Sequence, residues 1–355
     1  MATMLEVAKR AGVSKATVSR VLSGNGYVSQ ETKDRVFQAV AESGYRPNLL
    51  ARNLATKKTQ TLGLVVTNTL YHGVYFSELL YHVARMTEDK GRQLILADGK
   101  HSAEEEREAI EYLLDLRCDA IIIYPRFLSV DEMDEIIENH ERPIMVLNRR
   151  LRRNASHCVW SDQKASAMMA VEKLIALGHR EIALLAGPES SVSAKLRLKS
   201  WIETLEGYGL EPVTVIRGNW DAQSGYAGAL QMLRETPNFT AVLVGNDQMA
   251  LGVLSAFHQH QVPIPGEKSV IGYDDTYESS FFYPALTTVS LDLDLQGKEA
   301  VRRILDSGDN ETSHTSSILP ARLVVRHSTG PKTEPGKNLQ SIAEQLRALA
   351  HQLSP

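Results

Sequence analysis

The chain has 355 residues, 43% of them apolar and 23% charged, enough for about two to three domains with sizeable cores. No run of eighteen apolar residues occurs and the N-terminus lacks the apolar stretch of a signal peptide, which excludes a membrane-spanning or exported reading and predicts a cytoplasmic protein. The two cysteines, Cys118 and Cys158, each sit inside an apolar strand-like segment and read as core residues, without a disulfide or metal site. The net charge of −4 conceals an asymmetry: the first sixty residues hold ten lysines and arginines against four acids, a head of +6 on a body of −10. Such a head favours a polyanionic partner at one end of the molecule.

In chain order, Leu5, Val7, Ala8 and Ala11 precede Gly12, and Val13, Val18 and Val21 follow it, which predicts two short helices sharing one small core: a helix-turn-helix. Ser14 caps the second helix, which carries Lys15, Ala16, Thr17, Ser19 and Arg20 on or near its outward face, short polar and basic groups that suit a major groove. A third helix runs from about Gln30 to Ser43, with Val36, Phe37 and Val40 as its apolar stripe and Gly44 at its end. Next, Pro47 and Asn48 can start a helix presenting Leu50, Ala51 and Leu54. At about two turns it forms only when something supports it.

The ordered set Ala11-Gly12-Val13-Ser14, Thr17-Val18-Ser19-Arg20-Val21-Leu22, Val28-Ser29, Tyr45-Arg46-Pro47-Asn48 and Ala51-Arg52-Asn53-Leu54 resembles the headpiece of the lac repressor/galactose repressor family of transcriptional repressors. The resemblance implies a DNA-binding headpiece over residues 1–46 and a hinge helix over 47–60, two copies of which bind a near-palindromic operator. It implies that Lys15, Ala16, Thr17, Ser19 and Arg20 read bases, Arg20 suiting the guanine edge and Ala16 a thymine methyl. Asn48, Ala51 and Leu54 would enter the minor groove, with Leu54 as the wedge that kinks the central step.

From Thr61 the pattern becomes alternating strands and helices. Leu62-Gly63-Leu64-Val65-Val66, Leu94-Ile95-Leu96-Ala97, Ala120-Ile121-Ile122-Ile123-Tyr124 and Ile144-Met145-Val146-Leu147 form one parallel series; Ile182-Ala183-Leu184-Leu185-Ala186, Ala241-Val242-Leu243-Val244 and Val270-Ile271-Gly272-Tyr273 form a second. The expected architecture is an all-α helix-turn-helix headpiece plus a bilobed α/β core of two doubly wound parallel sheets, periplasmic-binding-protein-like, with a C-terminal oligomerisation helix. The core should span 61–327, its N-subdomain about 61–161 and 292–320 and its C-subdomain about 162–291 and 321–327.

In open α/β sheets ligands bind beyond the carboxyl ends of the strands. There stand Asn68 and Asn148 with Arg149 in the first lobe, and Ser193, Arg197, Trp220, Asn246 and Asp274 in the second. Forked Arg, Asp and Asn groups bridge sugar hydroxyls and an aromatic ring covers the apolar sugar face. Residues 177–323, with Ala186-Gly187-Pro188, Leu196-Arg197-Leu198, Asn246-Asp247-Gln248-Met249-Ala250-Leu251-Gly252 and Gly272-Tyr273-Asp274-Asp275-Thr276, resemble the lac repressor branch, which implies that Ser193, Arg197, Trp220, Asn246 and Asp274 contact a sugar effector. The chain departs from that branch at Ile123, Leu291 and Leu293, where polar or aromatic groups are expected, and at Asn148, where an acid is expected. Residues 1–160 resemble instead the branch that regulates an arbutin–salicin–cellobiose operon. The effector class is therefore β-galactoside or β-glucoside.

No G-x-S-x-G, Walker loop, G-x-G-x-x-G or Cys/His ligand spacing occurs, so neither an enzyme nor a cofactor is expected, and His157 with Asp162 reads as an ordinary strand end. A transport-type sugar-binding protein shares the bilobed plan but has no use for the basic head. Residues 328–337 read as a flexible linker. Over 338–355, Leu339, Ile342, Leu346, Leu349 and Leu353 recur at heptad spacing on a stripe little more than two heptads long, which either packs on the body or joins other copies. The family resemblance implies a homodimer and, through this tail, a homotetramer.

Overall fold

The computed structural model describes residues 2–23, 26–45, 59–68, 73–306 and 317–333. The expected hinge residues Asn48, Ala51 and Leu54 and the tail residues Leu339, Ile342, Leu346, Leu349 and Leu353 lie outside them. The chain divides into two compact units, 1–60 and 61–355.

The first unit contains α1 (Met4–Ala11), α2 (Lys15–Ser23) and α3 (Gln30–Ser43). A capping box opens α1: the Glu6 amide donates to Thr3 Oγ1 (3.3 Å) and the Thr3 amide to Glu6 Oε2 (2.7 Å). Gly12, at φ 63°, ends it in the left-handed region. Val7, Ala8, Ala11, Val18, Val21, Val36 and Ala39 are buried together. Leu5 and Phe37, expected in this core, are instead 57% and 52% exposed. At about 100° per residue, Leu5 stands on the side of α1 away from Val7, and Ala39 takes the inward position on α3 that Phe37 misses.

The second unit begins with β1 (Thr61–Val66), α4 (Val74–Asp89), β2 (Gln93–Asp98), α5 (Ala103–Asp115), β3 (Ala120–Tyr124), α6 (Val130–Glu138), β4 (Ile144–Leu147) and β5 (Cys158–Ser161). It continues through α7 (Gln163–Ala176), β6 (Ile182–Ala186), α8 (Val192–Gly207), β7 (Thr214–Arg217), α9 (Ala222–Glu235), β8 (Ala241–Val244), α10 (Asp247–Gln259), β9 (Ser269–Asp274) and β10 (Thr287–Ser290). It ends with α11 (Leu293–Asp306), β11 (Ser317–Leu319) and β12 (Arg322–Val324). One sheet has the order β11-β5-β4-β3-β1-β2 and the other β12-β10-β9-β8-β6-β7; the described pairings are parallel except β10 with β12. The chain therefore passes between sheets after Ser161, after Ser290 and after Leu319. Apolar clusters fill both faces of each sheet, which is why the central strands read as uninterrupted apolar runs.

Two corrections concern the ends of elements. Cys118 precedes β3 rather than lying within a strand; it and Cys158 are buried free thiols. The expected linker starts late, because residues 328–333 are docked on the second lobe. Ser328 is fully buried, accepting from the Thr287 amide and donating to the Val270 carbonyl, and Lys332 pairs with Glu181 at 2.8 Å. A flexible composition is overridden here by specific hydrogen bonds. Among the described residues no helix is long and apolar enough to cross a membrane.

Candidate functional site

On α2, Val18 and Val21 point inward while Lys15, Ala16, Ser19 and Arg20 are exposed and Thr17 is half-buried. Ser14 Oγ accepts from the Thr17 amide at 3.1 Å and lies 2.9 Å from Thr17 Oγ1, so the cap fixes where the helix starts and which side chains its first turn presents.

The second unit holds a cavity of about 400 Å³ between the carboxyl ends of its two sheets, within the range of small-ligand sites. Of the eight residues expected there, Asn148, Arg149, Ser193, Arg197, Trp220, Asn246 and Asp274 line it. Asn68 is not among the lining residues: its amide Nδ2 donates to Asp98 Oδ2 and its backbone N–H to Asp98 Oδ1, both at 2.9 Å, which turns the side chain toward the β2 end. Leu291 lines the cavity, whereas Ile123 is packed in the first lobe's core.

Arg197, on α8, is 4% exposed; it donates to the Gly245 carbonyl, its guanidinium carbon lies 3.4 Å from the Tyr273 ring centroid and 5.8 Å from that of Trp220, and its Nε has no partner. Asp274 ends β9 at φ 109°. Burial pushes its carboxyl up to about 8, against the pull of the Arg197 charge. Trp220 holds the left-handed φ of 69°, and its carbonyl accepts from Asn246 Nδ2 at 3.0 Å while Asn246 Oδ1 caps α10 through the Met249 amide at 2.9 Å. The indole lies so close to Gly187 that a Cβ there would sit 2.2 Å from it. The two helices that begin at this wall, α9 and α10, are themselves in backbone contact, since a Cβ at Gly252 would fall 1.9 Å from the Ala222 carbonyl oxygen.

Sequence reasoning missed Tyr75, Tyr124, Arg126, Ser191, Asn219, Gln248 and Thr276, which also line the cavity. Tyr75 and Tyr124 meet edge to face, centroids 5.7 Å apart, and Asn148 Nδ2 donates to Tyr124 Oη at 2.6 Å. Behind the wall, Asp247 accepts from Thr288 Oγ1 (2.6 Å) and the Thr276 amide (2.9 Å), and burial raises its carboxyl to about 7. Asp275 pairs with Arg326 at 2.7 Å. His157 and Asp162 have separate tasks: the ring contacts the Ile144 carbonyl, and the carboxylate caps α7 through the Lys164 and Ala165 amides. Among the described residues no group of three or more His, Cys, Asp or Glu is arranged to hold a metal.

Residues 3–48 match the model of bacterial regulatory proteins, lacI family, and residues 171–329 the periplasmic binding protein-like domain. The HTH-type transcriptional regulator AscG of Escherichia coli K12 is 59% identical over 92% of this chain and 98% of that protein. The lactose operon repressor of the same strain is 35% identical over 99% and 97%. The crystal structure of the lac repressor dimer bound to operator and the anti-inducer ONPF superposes with a TM-score of 0.85 at 34% identity, covering 93% of this chain and 99% of that one.

Proposed function

The chain belongs to the lacI family of bacterial regulatory proteins, DNA-binding transcriptional regulators and not enzymes, and we propose that within it this protein represses a sugar-utilisation operon and is released from its operator by a small sugar. The single observation that carries this reading is the cavity wall in which Arg197, Asn246, Asp274 and Trp220 converge, forked polar groups beside an aromatic face. A β-glucoside or β-galactoside suits it.

On this reading two headpieces grip a near-palindromic operator from the cytoplasm. Lys15, Ala16, Thr17, Ser19 and Arg20 read bases in the major groove, and Asn48, Ala51 and Leu54 act in the minor groove. Sugar binding shifts the lobes and separates the hinges, by as much free energy as the sugar's differential affinity for the released state supplies. Tyr277, Phe281 and Tyr283 are 69%, 70% and 88% exposed on the second lobe, a surface that suits a subunit contact. The heptad stripe from Leu339 to Leu353 joins dimers into tetramers.

The test is operator binding in the presence of a panel of β-glucosides and β-galactosides. One sugar should release the wild type yet leave Arg197→Lys and Asn246→Ala bound at the same concentration. Operator affinity unaffected by every sugar would reject the cleft assignment.

A further inference from the structure

Part of the first-lobe wall of the cavity is a loop, residues 125–128, which leaves the carboxyl end of β3 and contributes Pro125 and Arg126 to the lining. Side chains from two other elements hold its backbone. Glu106, on α5, is fully buried and gives its carboxylate to three amides: Oε1 accepts from Arg126 at 2.7 Å, Oε2 from Phe127 at 3.0 Å and Leu128 at 2.8 Å. Arg149, past the end of β4, donates to the Pro125 carbonyl at 3.2 Å and to the Leu128 carbonyl. An anion therefore takes the N–H groups of the loop and a cation its carbonyls.

Both charges are costly to bury. Burial raises the Glu106 pKa and lowers that of Arg149, and the attraction between the two offsets part of each penalty. Glu106 is also closely seated, since a Cβ at Gly99, past the end of β2, would fall 2.9 Å from its Cγ. Two of the amides it holds belong to Arg126 and Phe127, whose side chains stack with the guanidinium carbon 5.6 Å from the ring centroid. The carboxylate thus fixes the backbone of the pair that aims Arg126 into the cavity, while Glu106 itself is not among the lining residues.

We propose that Glu106 is a positioning residue of the effector site: without touching the effector, it fixes the conformation of 125–128 and thereby sets the affinity for the sugar. This rests on the reading that the cavity binds a sugar. In Glu106→Gln the side chain keeps its shape, but one acceptor oxygen becomes an NH2 group, so at least one loop amide is left facing a donor. The substitution also removes the charge opposite Arg149.

Two measurements on the full chain test it. Hydrogen exchange over residues 125–129 needs no ligand: Glu106→Gln should speed it severalfold while β6 and β8 of the second lobe keep their protection. In calorimetry with phenyl β-glucoside and phenyl β-galactoside, whichever binds the wild type should bind Glu106→Gln about tenfold more weakly, the scale seen when a group supporting a binding site is removed. Operator affinity without sugar should be unchanged, and the loss should shrink severalfold when Glu106→Gln is made in an Arg126→Ala background, where the group it aims is gone. Unchanged exchange or unchanged sugar affinity overturns the proposal and leaves the sugar reading intact. So does an equal loss of operator affinity, or a loss of sugar affinity of the same size in the Arg126→Ala background, since either marks general destabilisation. Binding of neither glycoside to the wild type overturns both.

Discussion

Asp247 shows how a single buried side chain can support a site it does not line. Its carboxylate ties the Thr276 amide and the Thr288 hydroxyl to the start of α10, and so fixes the turn that carries Asp274 and Asp275. Burial raises its pKa from 3.8 to about 7, so the native state keeps a proton that the unfolded chain has lost. Its contribution to stability is therefore complete below about pH 4 and is lost progressively as the pH rises to about 7. Thermal unfolding of the wild type and Asp247→Asn across that window should show a fall in Tm with rising pH that is shallower in the variant; parallel curves would contradict the assignment. Little of this was visible in the residue order. Arg197, Asn246 and Asp274 stand at strand and helix ends where the sequence shows them, but Tyr75, Tyr124 and Arg126 come to the cavity through the fold of the first lobe, with no spacing that announces it. Asn68 turns from the cavity to Asp98, a partner thirty residues away that no local spacing announces.

Among the elements, α2 translates most directly from sequence. The Ser14 cap sets its register, Val18 and Val21 anchor it, and the exposed side chains follow from helical geometry. Arg20→Ala should cost about 1–3 kcal/mol of operator affinity and relax discrimination at one base position, while affinity for any variant should drop steeply with salt. Binding titrations on operator and base-substituted operator at two salt concentrations check both; salt-insensitive binding would contradict a phosphate-anchored headpiece. Long apolar strands such as β3 were legible because both faces of each sheet are covered. The segment 328–333 was not, since Ser328 is held by the Val270 carbonyl, the Gly330 amide by the Ser269 hydroxyl and Lys332 by the Glu181 carboxylate, partners distant in the chain that composition does not encode.

For the whole molecule, the docked strap fixes where the tail can be removed. Truncation after Thr333 keeps the buried Ser328 and the Lys332–Glu181 pair, and on sedimentation it should convert tetramers to dimers that still bind one operator. Tetramers that persist would assign the assembly to another surface. The claim that joins the headpiece to the cavity is that both ligands bias one equilibrium, and linkage makes this reciprocal. The decisive measurement is the Kd of the releasing sugar with and without saturating operator DNA. Operator should weaken sugar binding by the same factor by which the sugar weakens operator binding; an unchanged sugar Kd would contradict this coupling.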